Sequence, residues 1–297
     1  MKNRLVFAGL ALALGLSVLA PAGALALGKD AGLTISPLRA YPSQDPGVTT
    51  ASNITLSNLT KSPMGVSIGA ELFKTIDESY DYAFAPTADK SWIRFDDSNI
   101  SLQAGQTQKE NYAVAVPASA KAGGYYFAIV ATVKAQTSSV NFTILKQVTS
   151  LIYLQVHGNI SHQMSLLGTN TPWLTTTPSV DISARVANGG TSHDEAALDI
   201  PVRYWPWGGG GNGQVLQGLI LPSTIRRLDG NLKLGGVPGI YQVTVKFSPP
   251  QGGSTTKTHY VLYFPVWFAA LLVIGGFYLT RNWSLLVRKL KQQFSSL

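Results

Sequence analysis

Cysteine is absent from the 297 residues. Its absence excludes a disulfide framework, a thiolate metal site and a cysteine nucleophile. Charge is scarce, with Asp, Glu, Lys and Arg at 13% against 45% hydrophobic residues. With a mean hydropathy of +0.13, that balance excludes a disordered chain. Histidine is limited to His157, His162, His193 and His259, and none forms an H-x-x-x-H or H-E-x-x-H pair. There is no G-x-S-x-G elbow and no framed carboxylate pair. No catalytic residue, metal ligand set or cofactor is therefore expected, and the chain reads as a non-enzyme. No soluble amphipathic helix stands out either.

What is present begins at the two ends. Lys2 and Arg4 precede an uncharged apolar run, Leu5 to Ala20, followed by Ala22-Gly23-Ala24 and Ala24-Leu25-Ala26. This pattern predicts a secretory signal peptide over 1–26, cleaved after Ala24 or Ala26. Near the other end, Tyr260 to Thr280 holds 21 residues without a charge. Such a run is long enough to cross roughly 30 Å of hydrocarbon as a helix. Proline suits a first helical turn, so a transmembrane helix is expected over 263–287, starting near Pro265. Arg281 would snorkel to the interface, with Trp267 and Trp283 in the aromatic belts. A basic tail, 288–297, follows and would be cytoplasmic. The expected localisation is the plasma membrane, single-pass type I, with the bulk of the chain outside.

This topology accounts for the net charge of +8. Of the 23 basic residues, two lie in the signal and four follow the apolar run, leaving 17 against 15 acidic residues. No nucleic-acid partner is expected from so small an excess.

Between the ends the pattern is strands. Apolar and polar residues alternate at Val180, Ile182, Ala184 and Val186, and again at Tyr241, Val243, Val245 and Phe247. Turn residues separate the runs, at Gly123-Gly124, Asn188-Gly189-Gly190 and Pro249 to Gly253. Many short strands of this kind predict an all-β chain of sandwiches. Two glycine-led turns place a tyrosine at the start of a late strand, Tyr125 and Tyr241. Each resembles the tyrosine corner of immunoglobulin-like sandwiches, whose hydroxyl bonds back to the turn. Two tandem immunoglobulin-like β-sandwiches are expected, over 30–157 and 158–262.

The order of short phrases adds a family resemblance. The first half reads Ile35-Ser36-Pro37-Leu38-Arg39, Asp45-Pro46-Gly47, Ser91-Trp92-Ile93-Arg94-Phe95, Leu102-Gln103-Ala104-Gly105-Gln106 and Gly123-Gly124-Tyr125-Tyr126. This order resembles the N-terminal domain of bacterial WxL-interacting cell-surface proteins, which is described as peptidoglycan-binding. Val186 to Gly190, Leu221 to Arg226 and Pro238 to Tyr241 look like the second domain of that family. The resemblance implies a membrane-anchored, non-catalytic surface scaffold that contacts cell-wall glycan or another surface protein. That family is similar in its first domain to the pilus-chaperone sandwich, whose inter-domain cleft carries a basic pair. Arg39 and Lys146 would stand in comparable places. The alternative function is then a membrane-tethered assembly factor holding exported subunits in that cleft.

Three further stretches invite a functional reading. Tyr204, Trp205 and Trp207 flank the base of a four-glycine run, Gly208 to Gly211. Exposed there, the rings would bind a sugar or a partner; folded back, they would cover the end of a sandwich. The Asp77-Glu78-x-x-Asp81 cluster matches no EF-hand spacing and reads as a solvated acidic hairpin. Leu221-Pro222-Ser223-Thr224 begins like a sorting signal, but Ile225 follows where glycine belongs. Asn53, Asn58, Asn99, Asn141 and Asn159 open N-x-S/T sequons.

Overall fold

The computed structural model describes residues 32–86, 92–133 and 146–294. The expected signal peptide and the sequon at Asn141 lie outside the described residues. Eleven strands make up the first half: β1 (Leu33–Ser36), β2 (Arg39–Ala40), β3 (Ser43–Gln44), β4 (Thr49–Asn58), β5 (Met64–Thr75), β6 (Tyr82–Pro86), β7 (Ile93–Phe95), β8 (Asn99–Leu102), β9 (Thr107–Ala115), β10 (Gly123–Val133) and β11 (Gln147–Val156). The second half holds β12 (Met164–Asn170), β13 (Leu174–Thr175), β14 (Ser179–Asn188), β15 (Asp194–Ile200), β16 (Val202–Tyr204), β17 (Gly211–Asn212), β18 (Gln214–Ile220), β19 (Thr224–Leu234), β20 (Gly239–Phe247) and β21 (Thr255–Tyr263). One helix, α1 (Val266–Phe294), follows.

Each half is an immunoglobulin-like β-sandwich, and the two repeat one plan. In the first, β1-β4-β9-β7 faces a sheet ordered β2-β11-β10-β5-β6, with β3 added on β11 and β8 on β5. In the second, β12-β14-β19-β17 faces β13-β21-β20-β15-β18, with β16 added on β20. In both, the first segment changes sheets. β1 pairs antiparallel with β4, and β2 then runs parallel to β11. Likewise β12 pairs with β14, and β13 runs parallel to β21.

The alternation read from the sequence explains which face goes inward. Along β14, Val180, Ile182, Ala184 and Val186 are buried while Asp181 and Arg185 are exposed. Burying each large aliphatic side chain contributes roughly 1.5–3 kcal/mol. Both tyrosine corners form. Tyr125 Oη donates to the Lys121 carbonyl at 3.0 Å, and Tyr241 Oη donates to the Val237 carbonyl at 2.9 Å. A buried asparagine closes β4 and its counterpart β14. Asn58 Nδ2 donates to the carbonyls of Ser62 and Gln103, at 2.8 and 2.9 Å. Asn188 Nδ2 donates to those of Ser192 and Ile220, both at 2.8 Å. A strand that must end inside the sandwich leaves backbone groups without ladder partners, and these amides supply them.

The two halves are not separate beads. Phe73, Tyr80, Ala128, Val130, Leu151 and Tyr153 of the first half share one continuous apolar cluster with the core of the second. The turn between β5 and β6 drives the contact. Tyr80 lies at φ +70, a conformation that costs a bulky residue roughly 1–2 kcal/mol. In return its ring is buried against the second half. The Leu221 amide donates to Tyr80 Oη at 2.6 Å, and Thr224 Oγ1 lies 2.8 Å from it. The Arg226 guanidinium sits over the ring, 4.4 Å from its centroid. Glu78 completes the joint. Its carboxylate pairs with Arg185 on two atoms, one contact being Nε to Oε2 at 2.7 Å. Its carbonyl accepts the Arg227 amide of β19 at 2.8 Å. The acidic stretch expected to be a solvated hairpin is therefore the clamp between the halves.

The C-terminal helix corrects the membrane assignment. Among the described residues, no helix is long and apolar enough to cross a membrane. The apolar run is divided between two structures. Tyr260 to Tyr263 complete β21 in register with β20, Phe264-Pro265 turns the chain, and α1 starts at Val266. Before Arg281 and Asn282, only Val266 to Thr280 is helical and uncharged. At 1.5 Å per residue that stretch is about 22 Å, short of roughly 30 Å of hydrocarbon. The single-pass plasma-membrane placement, and with it the anchor roles given to Pro265, Trp267, Arg281 and Trp283, is withdrawn. Trp267, Arg281 and Trp283 are exposed on this helix, and the Pro265 carbonyl accepts the amides of Phe268 and Ala269 in its first turn.

Replacing Tyr80 by Phe keeps the ring and deletes the hydroxyl, leaving the buried Leu221 amide unpaired. A loss of about 1–3 kcal/mol in unfolding free energy is expected, read from urea titration of the two proteins at pH 7.

Candidate functional site

Locking the halves together leaves a cleft between them, of about 510 Å³. Its lining includes Arg39 and Tyr41 from the first half, and His193, Glu195, Leu219 and Arg226 from the second. The chain builds this site from strand ends. Arg39 opens β2, and Tyr41 follows it between β2 and β3. His193 and Glu195 flank the first residue of β15, Asp194, and Leu219 lies near the end of β18. Arg226 on β19 donates to the Leu219 carbonyl at 2.7 Å. Gly218 lies directly beside it, where a Cβ would press on the tips of the Leu228 and Arg226 side chains, at 2.7 and 3.0 Å.

Aromatic rings form the floor. Tyr41 stacks on Tyr153 with centroids 5.2 Å apart. Tyr126 and Tyr153 each lie 5.8 Å from the His193 ring. Phe73 packs edge-on against Tyr82, Tyr126 and Tyr153. Burial pushes the Tyr126 and Tyr153 phenols well above their ordinary value, so both stay neutral. Burial also holds the His193 imidazole below its usual 6.5, against the opposing pull of Asp194. Burial works against the Arg39 charge, yet the Tyr153 and Tyr41 phenols beside it leave its pKa raised. Two guanidinium groups, one carboxylate and a neutral imidazole thus face one cavity. The balance favours an anionic group.

The sequence-predicted pair is divided by the structure. Arg39 lines the cleft, opposite Leu151 on β11. Lys146 lies five residues further back, just before β11, about 17 Å away along the strand. Its side chain runs beside Gly32 instead of toward the cleft. Arg226 takes the second basic position. Sequence reasoning missed it because it sits in the phrase Leu221 to Arg226, which carries no alternation cue of its own.

The glycine loop lies elsewhere. β15 and β18 run from the cleft to the opposite end of the second half, about 20 Å away, and the loop is there. Trp207, 81% exposed, stacks on Tyr204 with centroids 5.9 Å apart. Trp205, 46% exposed, packs edge-on to Tyr260. The indoles therefore rest on different partners and make no common platform. Gly208, Gly209 and Gly210 stand at φ +77, +77 and +75, which only glycine adopts three times in succession. Tyr204 exchanges backbone bonds with Gly208 and Gly209, both at 2.6 Å, so this segment is tied as a tight turn.

No family model matches the chain, and no curated protein matches it. Among solved structures, the class 5 fimbriae chaperone CfaA is 12% identical, with a TM-score of 0.40, covering 79% of this chain and 100% of that one. The CupB2 chaperone of Pseudomonas aeruginosa is 8% identical, with a TM-score of 0.38, covering 76% and 99%. The E. coli chaperone DraB is 11% identical, with a TM-score of 0.36, covering 77% and 97%. At such values the function has to be read from this chain's own residues.

The depressed His193 pKa makes stability depend on pH with a defined sign. The unfolded chain takes up the imidazole proton first, so stability is complete above pH 6.5 and declines as pH falls below it. Burial lowers His259 as well, in the same sense. Urea midpoints measured between pH 7.5 and 5.5 are expected to fall with pH, and to fall less in His193→Gln.

Proposed function

We propose that the protein binds another polypeptide in the cleft between its halves, without catalysing a reaction on it there. The observation that carries this reading is the convergence of Arg39 and Arg226 from separate halves onto one cavity. A carboxylate placed between them gains two charge-assisted hydrogen-bonding partners, and Tyr41 offers an aromatic wall beside it. The end carboxylate of an extended segment fits this chemistry. Such a segment also finds an open strand edge nearby. β2 covers only Leu151 and Ile152 of β11, and β11 from Gln147 to Thr149 is paired on its β10 side alone among the described residues. A partner strand added there would be held by main-chain hydrogen bonds.

This reading keeps the protein-binding part of the expected assembly factor and discards its membrane tether. The exposed indoles of Trp205 and Trp207 lie at the far end of the second half, away from this cleft.

The test uses an eight-residue fluorescent peptide with a free carboxyl terminus and its amidated twin. The free acid is expected to bind at least about tenfold more tightly, as charge-assisted bonds worth roughly 1.5–3 kcal/mol require. Arg39→Ala is expected to remove that preference, while Lys146→Ala leaves it. Equal binding of acid and amide would overturn the reading.

A further inference from the structure

The edge of the first half holds a serine, a histidine and an aspartate in a relay. β3 runs parallel to the end of β11, with Ser43 opposite Gln155 and Gln44 opposite Val156. Gln44 points into the core, so Ser43 and Asp45, two residues apart, both face outward. His157 follows β11, and its amide donates to the Gln44 carbonyl at 2.9 Å. That bond sets the imidazole between them. Ser43 Oγ lies 2.6 Å from His157 Nε2, and His157 Nδ1 lies 2.8 Å from Asp45 Oδ1. An ionised carboxylate only accepts, so Asp45 keeps the proton on Nδ1 and leaves the Nε2 lone pair facing the Ser43 hydroxyl. This is the division of roles by which a serine becomes a nucleophile. The carbonyls of Pro42 and Gln44 both face β11, accepting from Gln155 at 3.0 Å and His157 at 2.9 Å. Alternation therefore turns the Ser43 amide away from β11, available as a donor to a developing oxyanion.

We propose that Ser43 is an activated nucleophile that accepts acyl groups from esters. Ser43 Oγ bonds to the ester carbonyl carbon as His157 Nε2 takes the hydroxyl proton. The ester C–O bond then breaks, and the alcohol leaves with that proton. Water attacks the acyl-serine with its proton passing to Nε2, and the acid is released as Ser43 recovers its hydrogen. The His157 and Asp45 side chains are 49% and 70% exposed, so no wall selects the acyl group and small, unhindered esters are the substrate class. Open water also weakens electrostatic stabilisation of the transition state, so turnover is slow and the covalent adduct is the informative product. The relay borders the cleft, because Tyr41 and Arg39 precede Ser43 on the same edge, but the inference does not depend on what the cleft binds.

The full chain is treated with p-nitrophenyl acetate and, separately, with a fluorophosphonate probe, and the adducts are mapped by mass spectrometry. One adduct per chain, on Ser43, is expected, and Ser43→Ala removes it. His157→Gln is expected to slow labelling by roughly 100-fold or more. Asp45→Asn slows it by at least about tenfold and alters its pH profile. Added imidazole is expected to restore labelling of His157→Gly, which a role confined to holding the strand edge would not allow. Melting curves of each variant separate loss of reactivity from loss of fold. Absence of an adduct on Ser43 in the folded chain, or labelling of folded His157→Gln at the native rate, would overturn the proposal.

Discussion

The docking of the β5–β6 turn onto the second half fixes how the two sandwiches meet and where the cleft between them opens. Tyr80 carries one hydroxyl into an apolar interface, where an unpaired polar group costs free energy. The Leu221 amide and Thr224 satisfy it, and that requirement fixes the position of one half against the other. The same turn brings the Glu78 carbonyl to β19. β17 covers only Lys233 and Leu234 of that strand, so the contact protects an edge that would otherwise offer free backbone groups. Side-chain pairing, backbone pairing and apolar burial all act at one six-residue turn.

The cleft is a consequence of that joint. Arg226 serves both, with its guanidinium over the Tyr80 ring and one nitrogen on the Leu219 carbonyl. These two contacts hold the guanidinium at the wall of the cavity. Arg39 reaches the same cavity from a strand of only two residues, because the first segment of the chain leaves one sheet at Ser36 and joins the other at Arg39. The sheet switch therefore puts Arg39, Tyr41, Ser43 and Asp45 in a row along one edge.

Much of the architecture was legible in residues near each other in the chain. Alternation at Val180 to Val186 marks a strand with one buried face wherever it lands. The two tyrosine corners were readable because each hydroxyl reaches only four residues back. The apolar run at Tyr260 to Thr280 misled for the opposite reason. Hydropathy does not distinguish a strand from a helix, and pairing with β20 claims the first four residues of the run. The acidic turn misled in a related way, since its partners Arg185 and Arg227 stand more than a hundred positions away.

The all-β class, the repeated sandwich plan and the lack of any thiol chemistry are written locally along the chain. Each follows from local alternation, from glycine and proline, or from composition. Which charges meet is set by long-range packing. Arg226 replaced Lys146 in the cleft because strand register, not residue type, sets which side chains face a cavity. Ser43 and His157 are separated by 114 positions, and nothing in either neighbourhood signals the other. They meet because β3 and β11 are parallel neighbours, and parallel pairing requires a long connection that local pattern cannot encode.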